Sequence, residues 1–194
     1  MAAGDCGADE GAKQMSGTMK IGVIYGSTRV GRFCDKVAGW TYLKIAGCAG
    51  FEAEALDPLQ LTDLEELRRR IGACDGFVVV TPEYNHGYPA PLKALLDQVG
   101  AEWQAKPVAF VSYGGISGGL RAVEQLRQVF AELHAVTIRD TVSFAGAWEQ
   151  FDGAGALLKP ERAERSMAAL LDRLRWWTAA LRAARQAEPY RAQA

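Results

Sequence analysis

The chain has 194 residues, 49% of them hydrophobic and 23% charged, with a net charge of −1. That size and balance suit one ordinary globular domain, and no basic block follows the pattern that tracks a nucleic-acid backbone. Cys6, Cys34, Cys48 and Cys74 form no C-x-x-C pair and only His86 and His134 accompany them, which argues against a zinc centre; no apolar run is long enough for a membrane helix.

Residues 1–18 are rich in Gly, Ala, Asp and Glu and nearly free of large apolar side chains. They read as a disordered leader, without the basic-then-apolar layout of a signal peptide. The expectation is a soluble, cytoplasmic protein with reduced thiols. Its single domain spans residues 19–185, and residues 186–194 form a flexible tail.

Lys20 to Tyr25 is a β-branched run ending at Gly26 and predicts a buried parallel strand. Val37, Trp40, Thr41 and Lys44 carry helical spacing, so residues 30–47 are expected as a helix. Phe51 to Leu56 predicts a second strand, stopped by Asp57-Pro58. Thr62 followed by Glu65 resembles a capping box that opens a helix to about Ile71. Gly76 to Val80 is the clearest strand, and Pro89 then starts a helix over residues 89–99.

Pro107 to Ser112 predicts a fourth strand, and Gly118 to Leu133 a helix with Val123, Leu126, Val129 and Phe130 at core spacing. Ala135 to Arg139 predicts a fifth strand, and Phe144 to Leu158 a loop. Pro160 opens a long last helix with Met167, Leu170, Leu171, Leu174 and Trp177 on one face. Strands alternating with helices predict a five-stranded parallel sheet covered on both faces, a three-layer α/β/α arrangement. Right-handed crossovers suit the doubly wound strand order 2-1-3-4-5.

In such sheets ligands bind outside the carboxyl ends of the strands, where the strand order switches. The turns after strands one, three and four are also the most unusual stretches of this sequence. The first, Gly26 to Arg32, carries the hydroxyls of Ser27 and Thr28 and the charges of Arg29 and Arg32 at a helix start, which suits one terminal phosphate. It has neither the lysine of a P-loop nor the spacing of G-x-G-x-x-G. The second, Thr81 to Pro89, is stiffened by two prolines into an expected extended path. It crowds Tyr84, His86 and Tyr88 around Asn85, a rigid aromatic edge for a flat conjugated ring. The third, Ser112 to Gly119, has four glycines in eight residues and allows close backbone approach to a ligand. A phosphate pocket, an aromatic edge and a glycine-lined edge together describe a site for flavin mononucleotide (FMN).

Gly26-Ser27-Thr28-Arg29, Pro82-Glu83-Tyr84-Asn85, Pro91-Leu92-Lys93 with Asp97, and Ser112-Tyr113-Gly114-Gly115 carry a resemblance to the NAD(P)H-dependent FMN reductase family over roughly residues 19–140. That flavodoxin-like group includes quinone, azo-dye and chromate reductases. The resemblance implies a flavodoxin-like fold and an FMN phosphate held by Ser27, Thr28, Arg29 and the turn through Arg32, Phe33 and Cys34. It implies a ring lined by Pro82, Glu83, Tyr84 and Asn85 on one side and by Ser112, Tyr113, Gly114 and Gly115 on the other. Many relatives carry serine and asparagine where this chain has Arg32 and Cys34. The backbone donors there are expected to survive, with Arg32 taking over a phosphate contact.

NADH or NADPH is the implied co-substrate, and quinone, azo compound, free flavin or metal oxyanion the implied acceptor, in ping-pong turnover. No side chain is assigned a catalytic role, because the cofactor carries the chemistry. Tyr84, Tyr88 and Trp148 are candidate walls of the acceptor face. The resemblance also implies a homodimer or homotetramer with the flavin near a subunit boundary, and no nucleic-acid or membrane partner. Two other readings remain open: an FMN-binding electron carrier, and a redox-sensing interaction protein without its own NAD(P)H turnover.

Overall fold

The computed structural model describes residues 17–191. Residues 1–16 of the expected leader, and residues 192–194 of the expected tail, lie outside the described residues. Five parallel strands, β1 (Met19–Tyr25), β2 (Phe51–Leu56), β3 (Gly76–Pro82), β4 (Pro107–Gly114) and β5 (Val136–Ala145), form one sheet in the order β2-β1-β3-β4-β5. The helices are α1 (Cys34–Ala46), α2 (Leu64–Ala73), α3 (Ala90–Asp97), α4 (Leu120–Glu132) and α5 (Glu161–Ala187).

Every residue of β3 and β4 is buried, as expected for central strands with helices on both faces. Side chains alternate between two cores with the strand period of two. Val78, Val80, Ala109 and Val111 join α1 and α5 on one face. Phe77, Val79, Val108 and Phe110 join α2, α3 and α4 on the other. There Trp103 packs edge-on against Phe77 at 4.9 Å and against Phe130 at 5.8 Å, and its indole N–H donates to the carbonyls of Leu96 and Val99. An indole can be fully buried because that polar atom is satisfied.

Of the boundaries that differ from the expected ones, four have a clear local reason. Helix α1 begins at Cys34, because Gly31 takes φ 64° and the turn closes with Arg32 N–H donating to the Arg29 carbonyl. The first loop is therefore longer than the sequence suggests. Helix α2 is capped by Asp63, whose carboxylate accepts from the Glu66 N–H at 2.7 Å, and not by Thr62. Helix α4 starts at Leu120, after Gly118 and Gly119 have both taken positive φ.

The fourth difference is the largest. Strand β5 continues through Ala145 across a bulge, pairing Val108 with Thr137 and then Phe110 with Thr141. Arg139 and Asp140 end the apolar run at that bulge, so the sequence reads as if the strand stops there. The Arg127 guanidinium of α4 donates to the carbonyls of Ile138 and Arg139 and to the Thr141 hydroxyl, satisfying groups the bulge leaves outside the ladder. At the other end of the chain α5 reaches Ala187, two residues into the stretch read as tail. Among the described residues no helix is long and apolar enough to cross a membrane, and no cluster of His, Cys, Asp or Glu is arranged to hold a metal ion.

Candidate functional site

The register aligns the carboxyl ends of the strands, pairing Tyr25 with Val80, Pro82 with Tyr113 and Gly114 with Ala145. The three unusual turns therefore leave the sheet side by side. Gly26 N–H donates to the Val80 carbonyl at 2.8 Å, and Glu83 N–H to the Tyr113 carbonyl at 3.1 Å. A Cβ on Gly26 would lie 2.6 Å from the Val80 oxygen, so only glycine allows this close exit.

The first turn presents a helix start with no side-chain cap. Phe33 occupies the cap position of α1 and supplies no cap hydrogen bond. The positive end of the helix dipole and its first N–H groups thus face the loop, an arrangement that favours an anion. The Ser27 hydroxyl is buried beside it, 2.8 Å from the Tyr84 hydroxyl. Thr28 is half-buried, and Arg29 is exposed with its guanidinium 3.5 Å from the centre of the Tyr84 ring.

Arg32 is placed differently from its expected phosphate role. Its side chain is 6% exposed and forms a bidentate pair with Asp57, while also donating to Asp35 at 2.8 Å and to the Ser27 carbonyl at 2.6 Å. The guanidinium braces the loop from behind. Asp57, just past the end of β2, shows in the sequence only as a strand breaker. The signal for its role lies in the topology: β2 neighbours β1, so a buried acid just past β2 meets an arginine just past β1. The Cys34 thiol points into the core, and burial pushes its pKa up. Phe33 packs against Tyr113 and Phe151. From Arg32, Phe33 and Cys34 the loop's mouth can draw on backbone only.

The second turn is a two-residue hairpin. Tyr84 and Gly87 exchange N–H···O bonds of 2.9 and 3.1 Å around Asn85 and His86, whose φ values are 51° and 69°. Two successive positive φ values mark the type I′ geometry that suits tight hairpins. The loop therefore turns back on itself where the prolines suggest a straight path. Gln125 of α4 fixes its tip by donating to the His86 carbonyl at 2.8 Å. Tyr88 packs partly against the α2/α3/α4 core.

In the third turn Gly118 and Gly119 are tightly enclosed, and the Ser112 hydroxyl donates to the Gly118 carbonyl at 2.8 Å. Gly115 is the opposite case, since a Cβ there would meet nothing within 4 Å. The Tyr113 ring is buried in the core, so only its backbone reaches the rim. The extension of β5 brings Gly146 N–H to the carbonyls of Gly114 and Gly115, and Trp148, two residues further on, is 58% exposed.

Glu83 ties the second turn to the third. Its side chain is 5% exposed and accepts from the Ser117 hydroxyl at 2.7 Å, the Arg121 N–H at 3.2 Å and the Arg121 guanidinium at 2.6 Å. Burial alone would raise its pKa, but the bonds from Arg121 and Ser117 outweigh it and hold the carboxyl below the usual range. The clamp is therefore complete at neutral pH and is lost as pH falls below the ordinary glutamate value of about 4.3. Glu83→Gln is expected to speed amide exchange in residues 83–87 and 115–121 on the order of tenfold. Unchanged exchange there would show that the carboxylate contributes no clamp.

A doubly wound sheet whose carboxyl rim joins an anion-ready helix start to a rigid hairpin and a glycine edge defines a flavodoxin-like α/β protein. The sequence narrows this further. The model of the NADPH-dependent FMN reductase family matches residues 19–149, more than half of the chain, and the chain belongs to that family. An NAD(P)H-dependent FMN reductase of Schizosaccharomyces pombe is 39% identical over 132 residues, spanning 58% of this chain and 66% of that protein, just under two thirds of its length. A quinone reductase of Escherichia coli is 33% identical over 144 residues, spanning 64% of this chain and 76% of its own. Among solved structures, FerB of Paracoccus denitrificans, a flavoenzyme NAD(P)H:(acceptor) oxidoreductase, superposes with a TM-score of 0.67 at 21% identity. That match covers 82% of this chain and 97% of FerB, and it supports the fold.

Proposed function

We propose that the chain binds FMN at this rim and uses it to pass electrons from NADH or NADPH to a small-molecule acceptor: a quinone, an azo compound, a free flavin or a metal oxyanion. The observation that carries this reading is the meeting of the three turns, joined by the Ser27–Tyr84 and Glu83–Ser117 bonds, on one side of an uncapped helix. The donor set fits the group. The phosphate would be held by the α1 N–H groups through Cys34, the hydroxyls of Ser27 and Thr28, and the Arg29 guanidinium. The ring would lie between Pro82–Asn85 and Ser112–Gly115, with the open space over Gly115 admitting its edge.

Bound there, FMN supplies two-electron redox chemistry. The protein's residues bind, orient and shield. Backbone N–H groups around Gly114 and Gly115 would stabilise negative charge on a reduced ring, as preorganised donors that need no rearrangement. Trp148, two residues beyond Gly146, is exposed and would wall the face where nicotinamide and acceptor take turns in ping-pong turnover. Exposed Trp148 and Trp176 support assembly as a homodimer or homotetramer. Free thiols at Cys34, Cys48 and Cys74 fit a reducing compartment such as the cytoplasm.

The direct test is the visible spectrum of the purified protein, before and after NADPH or NADH and then a panel of acceptors. A flavin spectrum that bleaches with reductant and returns with quinone is expected. A colourless preparation that takes up no added FMN would refute the reading. Colour that survives both nicotinamides would leave only the electron-carrier part of it. Gly115→Val is expected to lose most of its flavin at an unchanged melting temperature, because the new side chain points into open space and clashes with nothing in the fold. Full flavin content in that variant would move the ring elsewhere.

A further inference from the structure

Tyr84 sits in the turn expected to line the ring, yet its side chain reaches the phosphate turn. Its hydroxyl is 2.8 Å from Ser27 Oγ, and the Arg29 guanidinium lies over its ring at 3.5 Å from the centroid. The residue is held from below. Its backbone exchanges both hydrogen bonds with Gly87, and the preceding Glu83 is clamped by Arg121 and Ser117. Tyr84 is thus a fixed platform and Arg29 the long side chain resting on it.

The neighbouring cations are already committed. Arg32 is paired with Asp57 and Asp35, Arg121 with Glu83, and Lys93 with Asp97, whereas among the described residues Arg29 has no carboxylate partner. The hydroxyl chemistry points the same way. A serine hydroxyl has one proton to donate and two lone pairs to accept with. Ser27 is fully buried beside Tyr84, and if Tyr84 donates to it the Ser27 proton is left for an acceptor that enters the turn.

Resting on the FMN reading above, we propose that Tyr84 is a positioning residue for phosphate recognition: it holds Arg29 by cation–π stacking and orients the Ser27 hydroxyl, so that the site selects phosphorylated flavin over riboflavin. Stacking fixes an arginine that would otherwise sample many rotamers, and preorganisation of that kind strengthens binding without a new contact. The ring-lining role of the second turn then falls to its backbone and to Pro82 and Asn85.

The test is a fluorescence titration of flavin-stripped protein with FMN and with riboflavin, for wild type, Tyr84→Leu, Tyr84→Phe, Arg29→Ala and the Tyr84→Leu/Arg29→Ala double variant. Wild type is expected to prefer FMN. Tyr84→Leu is expected to cut that preference about tenfold, the upper part of the range for a cation–π contact, with riboflavin affinity held within about twofold. Tyr84→Phe keeps the platform and loses only the hydroxyl, so a smaller fall of about three- to fivefold is expected. The double variant is expected to match the worse single variant, because both remove one coupled interaction.

Equal weakening of FMN and riboflavin in Tyr84→Leu would place the side chain on the ring and overturn the proposal, as would additive effects of Tyr84→Leu and Arg29→Ala. If the leucine variant does not fold, Tyr84→Phe decides: an FMN preference equal to wild type refutes the hydroxyl relay. Wild-type protein that binds neither flavin sinks the parent reading, whereas binding both equally sinks this inference alone.

Discussion

Asp57→Ala is expected to lower the stability of the protein by about 3–5 kcal/mol, the usual cost of removing one partner of a buried ion pair. The pair qualifies because the Arg32 and Asp57 side chains are 6% and 9% exposed and meet in a bidentate contact. Without the carboxylate, the Arg32 charge keeps Asp35, which lies at the surface, the Ser27 carbonyl and the Tyr25 ring 5.3 Å away. The melting temperature should fall on the order of 10 °C for a domain of this size. FMN affinity should fall with it, since the loop that Arg32 braces is the one proposed to hold the phosphate.

The same pair sets a pH dependence. Burial raises the Asp57 pKa, but the hydrogen bonds from Arg32 and the Leu59 N–H, with the Arg32 charge, bring it below the ordinary value. Its contribution is complete above the unfolded aspartate pKa of about 3.9 and is lost as pH falls further. Thermal melts of wild type and Asp57→Ala should therefore converge in acid. A variant that melts within about 1 kcal/mol of wild type at neutral pH would show that water solvates Arg32 well enough without its partner.

Gly119→Ala is expected to destabilise by about 3 kcal/mol, combining left-handed backbone strain with overpacking. Gly119 has φ 86°, and a Cβ there would lie 2.8 Å from both Ser112 Cβ and Tyr113 N and 2.9 Å from the Tyr113 oxygen. Two of those three atoms are backbone of the central strand β4 and cannot move aside cheaply. Gly115→Ala, four residues earlier in the same turn, is the control. Its Cβ would meet nothing within 4 Å, so its stability should stay within about 0.5 kcal/mol of wild type. Urea denaturation of the two variants separates the glycine the fold requires from the one whose openness is proposed to serve the ligand. Equal midpoints would remove that distinction.

The sequence alone determined the sheet and where its function gathers. Apolar runs bounded by Gly and Pro mark the central strands β1, β3 and β4, because a strand buried on both faces carries few polar residues at either parity. The alternation with amphipathic helices leaves the doubly wound order as the natural solution, and that order sends the turns after β1, β3 and β4 to one rim. Ser27, Arg29, Glu83, Tyr84 and Gly115 are all legible as members of that rim, since each stands in a stretch too rich in Gly, Pro and hydroxyls for an ordinary turn.

What each side chain does there was decided only by tertiary structure. Arg29 and Arg32 look equivalent in the chain, yet Asp57, 25 residues beyond Arg32, claims one and leaves the other at the mouth. Nothing in the local sequence shows that Glu83 is clamped by Arg121 and Ser117, or that the Tyr84 hydroxyl reaches across to Ser27 in the first turn. Strand β5 stops at Arg139 by composition and continues because Arg127, on another element, supplies the missing donors. Local pattern fixes where the backbone goes, because it depends on each residue's own solvation and φ/ψ preference. The partner of a charge or hydroxyl depends on which distant residue the topology brings within about 3 Å, and no local window of sequence contains that distance.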